Sequence, residues 1–594
     1  MYKPKAEDVR SNASFRDLVR TYVVYCMCTV PELVDASPTI LSVLSSIPGI
    51  RQLTEGFVRI TFFEQFVGSD TAAESLPLLK NLREMNRGVL FAYSVEVDDN
   101  EATGTASQPH STDDVIPNSP ATSLISSHSD GAHKRIVDEM IHCIDVAAGF
   151  EQQQQVASSQ ARGGRTWVAV KMTALLPNAD ALIAWSSHIV ASRKELESSV
   201  IDNKVPFPGC ARTEDMDSVL DPLSHRSKLT PAQTRDLREL YNDLTRICQR
   251  AEEKGVKIII DAEYSWYQPA IDALTLALMR NFNSLSSDRT NKEVQPLIYG
   301  TFQAYLRRTP IHLDLAIADA KKHNYALGAK LVRGAYHPHE IAAHEAAIAY
   351  DKEYGVARHL EFDSAAPRPS LSISPDLEPP VWREKRDTDE AYNRCALRLI
   401  EAVKDDVERC HGKSAASIPS ISNNTSQASN GCLGWLWPRA TSHSQFVSSN
   451  PPAKTSNVPS IGVLFGTHNW ESCSIILQGL LASGLATPAS PAPTTGTTNN
   501  LVTQVPVINL KDETVERVAV GQLYGMSDDL TDWVVGRTVS SIPFVLKYVP
   551  YGALSEVMPY LSRRAIENKS VLGGGAADHE RRRAAREIWM RLFG

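Results

Sequence analysis

The chain alternates short apolar runs with amphipathic helical segments, and this alternation constrains its fold more than any other feature. Eight runs are rich in β-branched residues, and most are continuously apolar, which is typical of strands buried on both faces. They are GVLFAYSVEV (88–97), WVAVKMTALL (167–176), VKIIIDAEY (256–264), PLIYGTFQAY (296–305), ALGAKLVRGAY (326–336), IGVLFGTHN (461–469), VERVAVGQLYG (515–525) and FVLKYVPYG (544–552). Eight strands with helices between them predict an α/β fold, a (β/α)8 barrel, with a doubly wound open sheet as the alternative.

Several segments between the runs carry the start and stop signals of helices. TPAQTRDLRELYNDLTRICQRAEEKG opens with Thr230 before Pro231 and closes at Gly255, which is the pattern of a cap, a first-turn proline and a terminal glycine. QPAIDALTLALMRNFN and TPIHLDLAIADAKKHN behave similarly, and a last helix is predicted over 553–572. Near the N-terminus, SFRDLVRTYVVYCMCTVPELV is interpreted as a core helix or, alternatively, as an amphipathic membrane-surface patch.

The length of 594 residues suggests about four domains, but four long segments look unable to form a core. They are rich in Ser, Pro, Thr and Asn, and they bury too little apolar surface to offset the entropy of ordering, so we interpret them as loops or disorder. These insertions are 101–133, 362–386, 412–459 and 484–503. The predicted organisation is a helical arm over 1–85, one barrel with these insertions over 86–575, and a C-terminal helix over 576–594.

The composition excludes some classes of protein. With 61 basic and 69 acidic residues the net charge is −8, which argues against a broad basic face for nucleic acid. No apolar run reaches 18 residues, so no transmembrane helix is expected. The nine cysteines show no disulfide framework, and no His/Asp/Glu set has metal spacing, so no metal is predicted. The start, MYKPKAEDVRSNASFRD, shows the pattern of neither a signal peptide nor a mitochondrial presequence.

Polar residues stand near the carboxyl ends of seven of the eight runs, where barrel enzymes carry their catalytic groups. They include Lys171, Asp261, Glu263, Gln303, Lys330, Arg333, Tyr336, Thr467, His468, Asn469, Gln522, Lys547 and Tyr548. Because an isolated charge in a strand is costly unless it is paired or functional, this recurrence predicts one convergent site. A structural interpretation also exists: Lys171 and Asp261 can form an ion pair inside the barrel, and His468 can be a satisfied core histidine.

The last predicted helix carries two adjacent arginines, Arg563 and Arg564, followed by Glu567. A solvated helix with an internal ion pair is one interpretation, because residues three or four apart share a helix face. The alternative is that the two guanidinium groups bind a small carboxylate, whose geometry matches the planar fork of arginine.

Seven motifs, in chain order, resemble proline dehydrogenase. They are DAEYSWYQPAID, TFQAYL, KLVRGAY, FGTHN, QLYGM, KYVPYG and YLSRRAIEN, and the likeness is to the long, monofunctional, fungal-type eukaryotic enzyme of mitochondria. The resemblance implies a distorted barrel that holds FAD noncovalently at its C-terminal face. It also implies oxidation of L-proline to Δ1-pyrroline-5-carboxylate in proline catabolism, with electrons passed to a membrane quinone. Peripheral association with the matrix side of the inner membrane is implied as well.

The same resemblance implies roles for the substrate contacts, which are Lys171, Tyr336, Leu523, Tyr548, Arg563 and Arg564. Arg563 and Arg564 are similar to the pair that holds the proline carboxylate. Lys171 is similar to a third cationic partner, paired with Asp261. Tyr548 resembles a tyrosine packed on C4 of the proline ring.

The flavin contacts implied by the resemblance are Ala262, Gln303, Lys330, Val332, Arg333, Gly334, Ala335, Thr467, His468, Asn469 and Gln522, with Glu567 similar to the acid that orients the helix arginines. Hydride transfer from proline C5 to flavin N5 requires positioning more than a nucleophile. Lys330 is the candidate cation that stabilises the reduced flavin. Lys171, Asp261, Lys330 and Tyr548 are the candidate catalytic residues, and Asp261 can be either a base or an ion-pair partner.

Two alternatives to proline oxidation stay open. One is the same chemistry on trans-4-hydroxyproline, against which Tyr548 argues, because a tyrosine over C4 leaves no room for a hydroxyl group. The other is a barrel that binds a partner without catalysis. The presence of Lys171, Asp261, Arg563 and Arg564 together argues against that alternative.

Overall fold

Eight parallel strands close into a barrel in the computed structural model, so the predicted (β/α)8 fold is confirmed and the open sheet is wrong. The strands are β1 (Arg87–Tyr93), β2 (Thr166–Val170), β3 (Ile258–Ile260), β4 (Ile298–Gln303), β5 (Leu327–Val332), β6 (Ile461–Gly466), β7 (Ala486–Pro488), β8 (Ile508–Leu510), β9 (Val518–Leu523), β10 (Thr538–Val539) and β11 (Val545–Tyr551). The barrel order is β1-β2-β3-β4-β5-β6-β9-β11, while β7, β8 and β10 form a small separate sheet. The structure describes residues 14–47, 49–94, 131–157, 164–197, 205–220, 229–285, 295–354, 370–411, 458–489, 505–569 and 576–593.

Helices surround the barrel and form the two ends of the described chain. The N-terminal arm contains α1 (Phe15–Cys28), α2 (Pro31–Ser46), α3 (Ile50–Val58), which continues into a π-helical turn (Arg59–Phe63), α4 (Glu64–Phe66) and α5 (Leu76–Glu84). The helices that follow are α6 (Ala132–Ala157), α7 (Asp180–Glu197), α8 (Asp217–Leu220), α9 (Pro231–Lys254), α10 (Gln268–Phe282), α11 (Thr309–His323), α12 (His337–Tyr354), α13 (Lys385–Cys410), α14 (Trp470–Ala482), α15 (Asp512–Arg517), α16 (Asp528–Arg537), α17 (Met558–Lys569) and α18 (Ala576–Phe593). Within the described ranges, no helix combines the length and apolar character that crossing a bilayer requires.

The barrel interior is packed with side chains rather than open. Its buried residues come from alternate positions of the strands, and they are Leu90, Ala92, Trp167, Ala169, Ile259, Tyr299, Leu464, Ala519 and Leu546. Successive side chains of a strand point to opposite faces, so residues two positions further along point inward as well. This period places Lys171, Asp261 and Tyr548 at the C-terminal end of the interior.

The helix that carries the paired arginines begins later than the sequence pattern predicts. The prediction began at residue 553, whereas α17 begins at Met558. The preceding residues form a turn, in which the Glu556 carboxylate accepts a hydrogen bond from the Ala553 amide at 3.0 Å. Pro559 then occupies the second helical position, where a missing N–H group costs nothing. In contrast, α9 shows the predicted Thr230 cap and left-handed Gly255 stop.

Two side chains of the arm converge on one backbone carbonyl of the barrel. The hydroxyl of Tyr25 and the amide of Gln65 both donate to the carbonyl of Gly525, at 3.0 and 2.9 Å. Gly525 has a φ of +74°, and a Cβ there would lie 1.8 Å from the Gln65 carbonyl oxygen. Only glycine permits this approach. Because α1 also buries Leu18 and Val24, the core-helix interpretation holds for this face of α1.

Most of the four predicted insertions, namely 101–130, 362–369, 412–457 and 490–503, lie outside the described residues. The parts of the insertions that the structure does describe are packed, whereas the prediction was a loop without packing. Ala486–Pro488 forms β7, antiparallel to β8, and Val381 is fully buried and paired with Leu306. Backbone hydrogen bonds to neighbouring strands and loops hold these segments, and composition alone does not reveal such bonds.

Candidate active site

A buried carboxylate joins three strands of the barrel at its C-terminal end. Asp261 follows β3 and accepts hydrogen bonds from Lys330 on β5 at 2.6 Å and from the Tyr548 hydroxyl on β11 at 3.0 Å. The Lys330 ammonium also lies 5.4 Å from the centre of the Tyr548 ring, within reach of a cation–π contact. The structure therefore brings together three of the four candidate catalytic residues.

Lys171, the fourth candidate, follows β2 and is half-buried beside Glu263. The Glu263 carboxylate is buried and accepts hydrogen bonds from the backbone and hydroxyl of Thr173, at 3.1 and 2.5 Å. Burial raises the pKa of Glu263, and the charge of Lys171 acts in the opposite direction. Asp261 has Lys330 as a partner that the sequence did not suggest, and its predicted pairing with Lys171 stays a prediction.

The paired arginines of α17 are held by different neighbours. Arg564 is buried, pairs with Glu567 at 2.5 Å and lies 4.9 Å over the Tyr560 ring. Arg563 donates to the Tyr336 hydroxyl at 3.3 Å and lies 5.4 Å over that ring. Tyr336 follows β5, so α17 closes over the mouth of the barrel and brings two predicted substrate contacts together.

Two predicted flavin contacts carry buried polar atoms that have no hydrogen-bond partner within the described part of the chain. His468 accepts from the Leu523 amide through Nε2 at 3.0 Å, and burial lowers its pKa to about 3. The neutral ring therefore carries its proton on Nδ1, which has no partner. Gln303 donates to the Glu263 carbonyl at 3.2 Å, while its Oε1 has no partner. The Nδ1–H group of His468 is thus a buried donor and Gln303 Oε1 a buried acceptor, and such a pair fits the polar edge of a flavin, which offers both donors and acceptors.

Gly334 gives the loop after β5 a close contact with an aromatic ring. Its φ is +123°, and a Cβ there would lie 2.6 Å from ring atoms of Tyr305. Tyr305 donates to Glu340 at 3.4 Å, and the same carboxylate accepts from the backbone and hydroxyl of Ser265, at 2.7 and 2.5 Å. Burial raises the pKa of Glu340 to about 7. The motifs DAEYSWYQPAID and TFQAYL contain Ser265 and Tyr305, but no motif contains Glu340, and the three residues become neighbours only in the folded barrel.

Arg333 and Asn469 fix the loops around the predicted flavin contacts. Arg333 contacts Asp389 at 2.6 Å and the hydroxyls of Thr467 and Ser472 at 2.8 Å each. Asn469 caps α14 by accepting from the Ser472 amide at 2.9 Å. Both side chains therefore have structural partners, and their flavin contacts stay predictions. Val332, Ala262 and Ala335 lie at the same end of the barrel, partly or fully exposed.

Two polar residues of the last barrel strands point away from the interior. The side chain of Lys547 is fully buried on the outer face of the barrel sheet. There it donates to the Met526 carbonyl, Asp528 and Thr531 at 3.0–3.1 Å. Gln522 also contacts Thr531, at 2.5 Å. The convergence of polar residues that the sequence suggested therefore excludes Lys547, since its neighbour Tyr548 occupies the inward position.

A second polar cluster lies between α16 and α18. His579 lies 3.4 Å from Asp529, and Glu580 completes a group of three potential metal ligands. Sequence spacing missed this group, because Asp529 is far from the other two residues in the chain. Arg583 pairs with Glu580 at 2.8 Å, so we interpret the cluster as an ion-pair network that attaches α18 to the barrel.

The closed parallel barrel, with charged groups at its carboxyl ends and a pair of arginines over the mouth, defines a (β/α)8-barrel enzyme. The family model for proline dehydrogenase matches residues 125–352 and 371–574, well over half of the chain. The chain therefore belongs to the proline dehydrogenase family and is an oxidoreductase of this flavin-dependent class.

Relatives are similar over nearly the whole chain. Proline dehydrogenase 1, mitochondrial, from Arabidopsis thaliana is 25% identical over 97% of this chain and 84% of its own length. The human protein of the same name is 24% identical over 97% of this chain and 86% of its own length. A hydroxyproline dehydrogenase from Rattus norvegicus is 24% identical over 97% of this chain and 92% of its own length.

A solved structure shares the fold. The crystal structure of proline utilization A (PutA) from Bdellovibrio bacteriovorus, inactivated by N-propargylglycine, superposes with a TM-score of 0.52 at 16% identity. The match covers 98% of this chain but only 42% of that protein. At this identity the likeness supports the barrel architecture alone.

Proposed function

We propose that this enzyme oxidises L-proline to Δ1-pyrroline-5-carboxylate, the first step of proline catabolism, through the site at the carboxyl end of the barrel. The observation that carries the proposal is the hydrogen bond of 3.3 Å between Arg563 and Tyr336 at the same end of the barrel as the cluster of Asp261, Lys330 and Tyr548. A small amino acid bound between them has its carboxylate near cations and its ring near an aromatic side chain.

The proposed carboxylate site consists of Arg563, Arg564 and Lys171. An arginine fork binds a carboxylate through two parallel hydrogen bonds, and burial strengthens them. Glu567 holds Arg564 in one orientation, so its guanidinium is positioned before the substrate arrives. These cations favour the carboxylate form of the substrate, while Tyr336 and Leu523 form walls of the proposed pocket.

The proposed cofactor is noncovalent FAD, which when bound would supply the hydride acceptor for the oxidation of proline. His468 Nδ1 and Gln303 Oε1 are the buried groups whose hydrogen-bonding capacity supports this assignment. Lys330 supplies a positive charge that favours a reduced, anionic cofactor. Asp261 accepts from both Lys330 and Tyr548, which favours a role in positioning them over a role as a base.

Tyr548 supports proline over trans-4-hydroxyproline as the substrate. Its hydroxyl is fixed by Asp261, so the ring cannot swing away without losing a buried hydrogen bond. The relatives include enzymes named for each substrate at about equal identity, so overall similarity does not discriminate.

Dye-linked oxidation of both substrates by FAD-supplemented enzyme tests the proposal. We expect a flavin absorption band and a kcat/KM at least about tenfold higher for proline, the difference that one steric clash produces. Tyr548→Ser should shift the ratio toward hydroxyproline, whereas Tyr350→Ser, outside the proposed pocket, should not. A colourless protein, or one that prefers hydroxyproline, would contradict the proposal.

The proposed electron acceptor is a membrane quinone. We propose a location on the matrix side of the mitochondrial inner membrane, with peripheral association. The support is the mitochondrial naming of the relatives. Reduction of a soluble quinone analogue by proline-treated enzyme tests the acceptor separately from the membrane.

A further inference from the structure

Four helices at the two ends of the chain expose rows of large apolar side chains to solvent. The rows have spacings typical of one helix face. They are Phe15, Val19, Tyr22 and Val23 on α1, Leu33, Ile40 and Val43 on α2, Ile50, Leu53, Phe57 and Ile60 on α3 and its π-helical turn, and Trp589, Met590, Leu592 and Phe593 on α18. We name these residues the apolar end surface.

α3 exposes to solvent an apolar face that a helix on a soluble domain normally packs against the core. Leu53, Phe57 and Ile60 are 75%, 47% and 55% exposed, and they follow one another on one face. The polar pair Arg51 and Glu55, 2.7 Å apart, lies elsewhere on the same helix. A surface helix normally packs its apolar face on the core, so an apolar face in solvent indicates an interaction surface.

The C-terminal helix adds positive charge to the surface. Arg582, Arg586, Trp589 and Phe593 are exposed and follow one another at spacings of four, three and four residues, so they share a face. The Trp589 and Phe593 rings are 4.4 Å apart and form one aromatic end. Basic residues beside aromatic residues match a membrane interface, where anionic headgroups adjoin the acyl region.

The four helices are connected to one another and to the active site. α1 packs against α18 and α2, and α2 packs against α3 and against α17. α17 carries Arg563 and Arg564, so the apolar end surface adjoins the helix that covers the mouth of the barrel. A hydrophobic electron acceptor dissolved in a bilayer could therefore approach the site from this side.

We propose that the apolar end surface docks the enzyme on an anionic membrane, with the aromatic and leucine side chains inserted at the headgroup level and the arginines of α18 on the headgroups. This inference rests on the proposed use of a membrane quinone, and it assigns the surface through which the enzyme meets that membrane. Such binding is peripheral, because amphipathic helices that carry charged residues beside their apolar faces lie in the plane of the interface.

Vesicle cosedimentation of the full chain tests the inference. The probe is vesicles made of equal parts phosphatidylcholine and phosphatidylglycerol, with pure phosphatidylcholine for comparison. We expect tighter binding to the anionic vesicles. Leu53→Ser with Phe57→Ser, and separately Trp589→Ser with Phe593→Ser, should each weaken binding by about tenfold or more, because each pair removes two inserted side chains.

Matched controls separate docking from general loss of apolar or basic residues. Leu377 is 87% exposed and lies outside the surface, so Leu377→Ser should bind like the wild type. Arg582→Gln with Arg586→Gln should reduce the preference for anionic vesicles. Arg386 on α13 has a side chain that is 82% exposed and lies outside the surface, so Arg386→Gln should leave this preference unchanged.

Activity keeps the two proposals apart. Each surface variant should oxidise proline at the wild-type rate with a soluble dye, which also shows that it is folded, but more slowly with quinone embedded in vesicles. If both double variants bind vesicles as tightly as the wild type, the proposed docking surface is wrong. It is also wrong if light scattering shows that the wild type is a dimer and that the variants are monomers, since the surface would then be a dimer interface. No proline oxidation by the wild type with the dye would instead contradict the proposed function.

Discussion

Replacing Asp261 with asparagine tests whether this carboxylate organises the site. The change keeps the shape of the side chain and an acceptor for Tyr548, but it leaves the Lys330 ammonium without its counter-charge. At the observed 2.6 Å the Coulomb attraction is about 6 kcal/mol for an effective dielectric constant of about 20. The side chains of Lys330 and Asp261 are only 11% and 9% exposed, so water replaces little of this interaction.

The expected net loss is smaller than the Coulomb energy, because desolvation of both charges opposes the attraction in the native protein. Breaking a buried pair on one side typically costs about 3–5 kcal/mol. We expect Asp261→Asn to lower the free energy of unfolding by about 3 kcal/mol. Lys330→Met combined with Asp261→Asn should recover about 1–2 kcal/mol, since no uncompensated charge remains buried.

Urea unfolding followed by tryptophan fluorescence measures both effects. Asp314→Asn is the matched control, because Asp314 pairs with Arg398 at 2.7 Å but is 59% exposed, and exposed pairs contribute about 0–1 kcal/mol. A loss below about 1 kcal/mol for Asp261→Asn would refute the reasoning. So would a double variant whose loss equals the sum of the single losses, since that result shows no coupling between the two charges.

Three other predictions concern binding, the loop after β5 and pH. Arg563→Met and Arg564→Met should each raise the KM for proline about 10- to 100-fold in steady-state kinetics, because a charge-assisted hydrogen bond to the carboxylate is lost; an unchanged KM in both would remove them from the site. Gly334→Ala should destabilise the protein by more than about 2 kcal/mol, because Gly334 has a positive φ and an added Cβ would clash with the Tyr305 ring. The same change should reduce the flavin retained on gel filtration. Gly536 has open space around it, so Gly536→Ala should neither destabilise the protein nor release flavin. Glu340 has its pKa raised by burial from 4.5 to about 7, so its protonated form stabilises the native state at low pH, and that contribution is lost as pH rises from about 4.5 to 7. Compared with Glu340→Gln, the wild type should lose stability over this range in urea unfolding at several pH values, and parallel curves would contradict the assignment.

The barrel could be predicted from sequence because its strands are buried on both faces. Their apolar runs are therefore nearly continuous, and helices with clear caps separate them. The small strand Ala486–Pro488 could not be predicted in this way. Its composition is typical of a loop, and its pairing with Ile508–Leu510 depends on residues that lie some twenty positions away in the chain.

The members of the site could be proposed from sequence, but their partners could not. Lys171 follows β2 and Lys330 lies within β5, and the sequence does not decide which of them pairs with Asp261. Lys330 is the observed partner although β4 separates its strand from that of Asp261, since the two side chains meet across the interior. Glu340 illustrates the same limit, because a glutamate in the first turn of a helix is normally interpreted as a favourable charge near the helix N-terminus.

The packing of α1 on α18 has a consequence for how the chain folds. Tyr25 reaches its carbonyl partner across 500 residues, and α18, one of the helices against which α1 packs, is synthesised long after α1. At about 5–20 residues per second, the ribosome needs on the order of 30 to 120 s to reach that helix. Meanwhile α1 carries apolar side chains on both of its faces. The packing of α1 is therefore completed late, and during this interval its apolar side chains are open to aggregation.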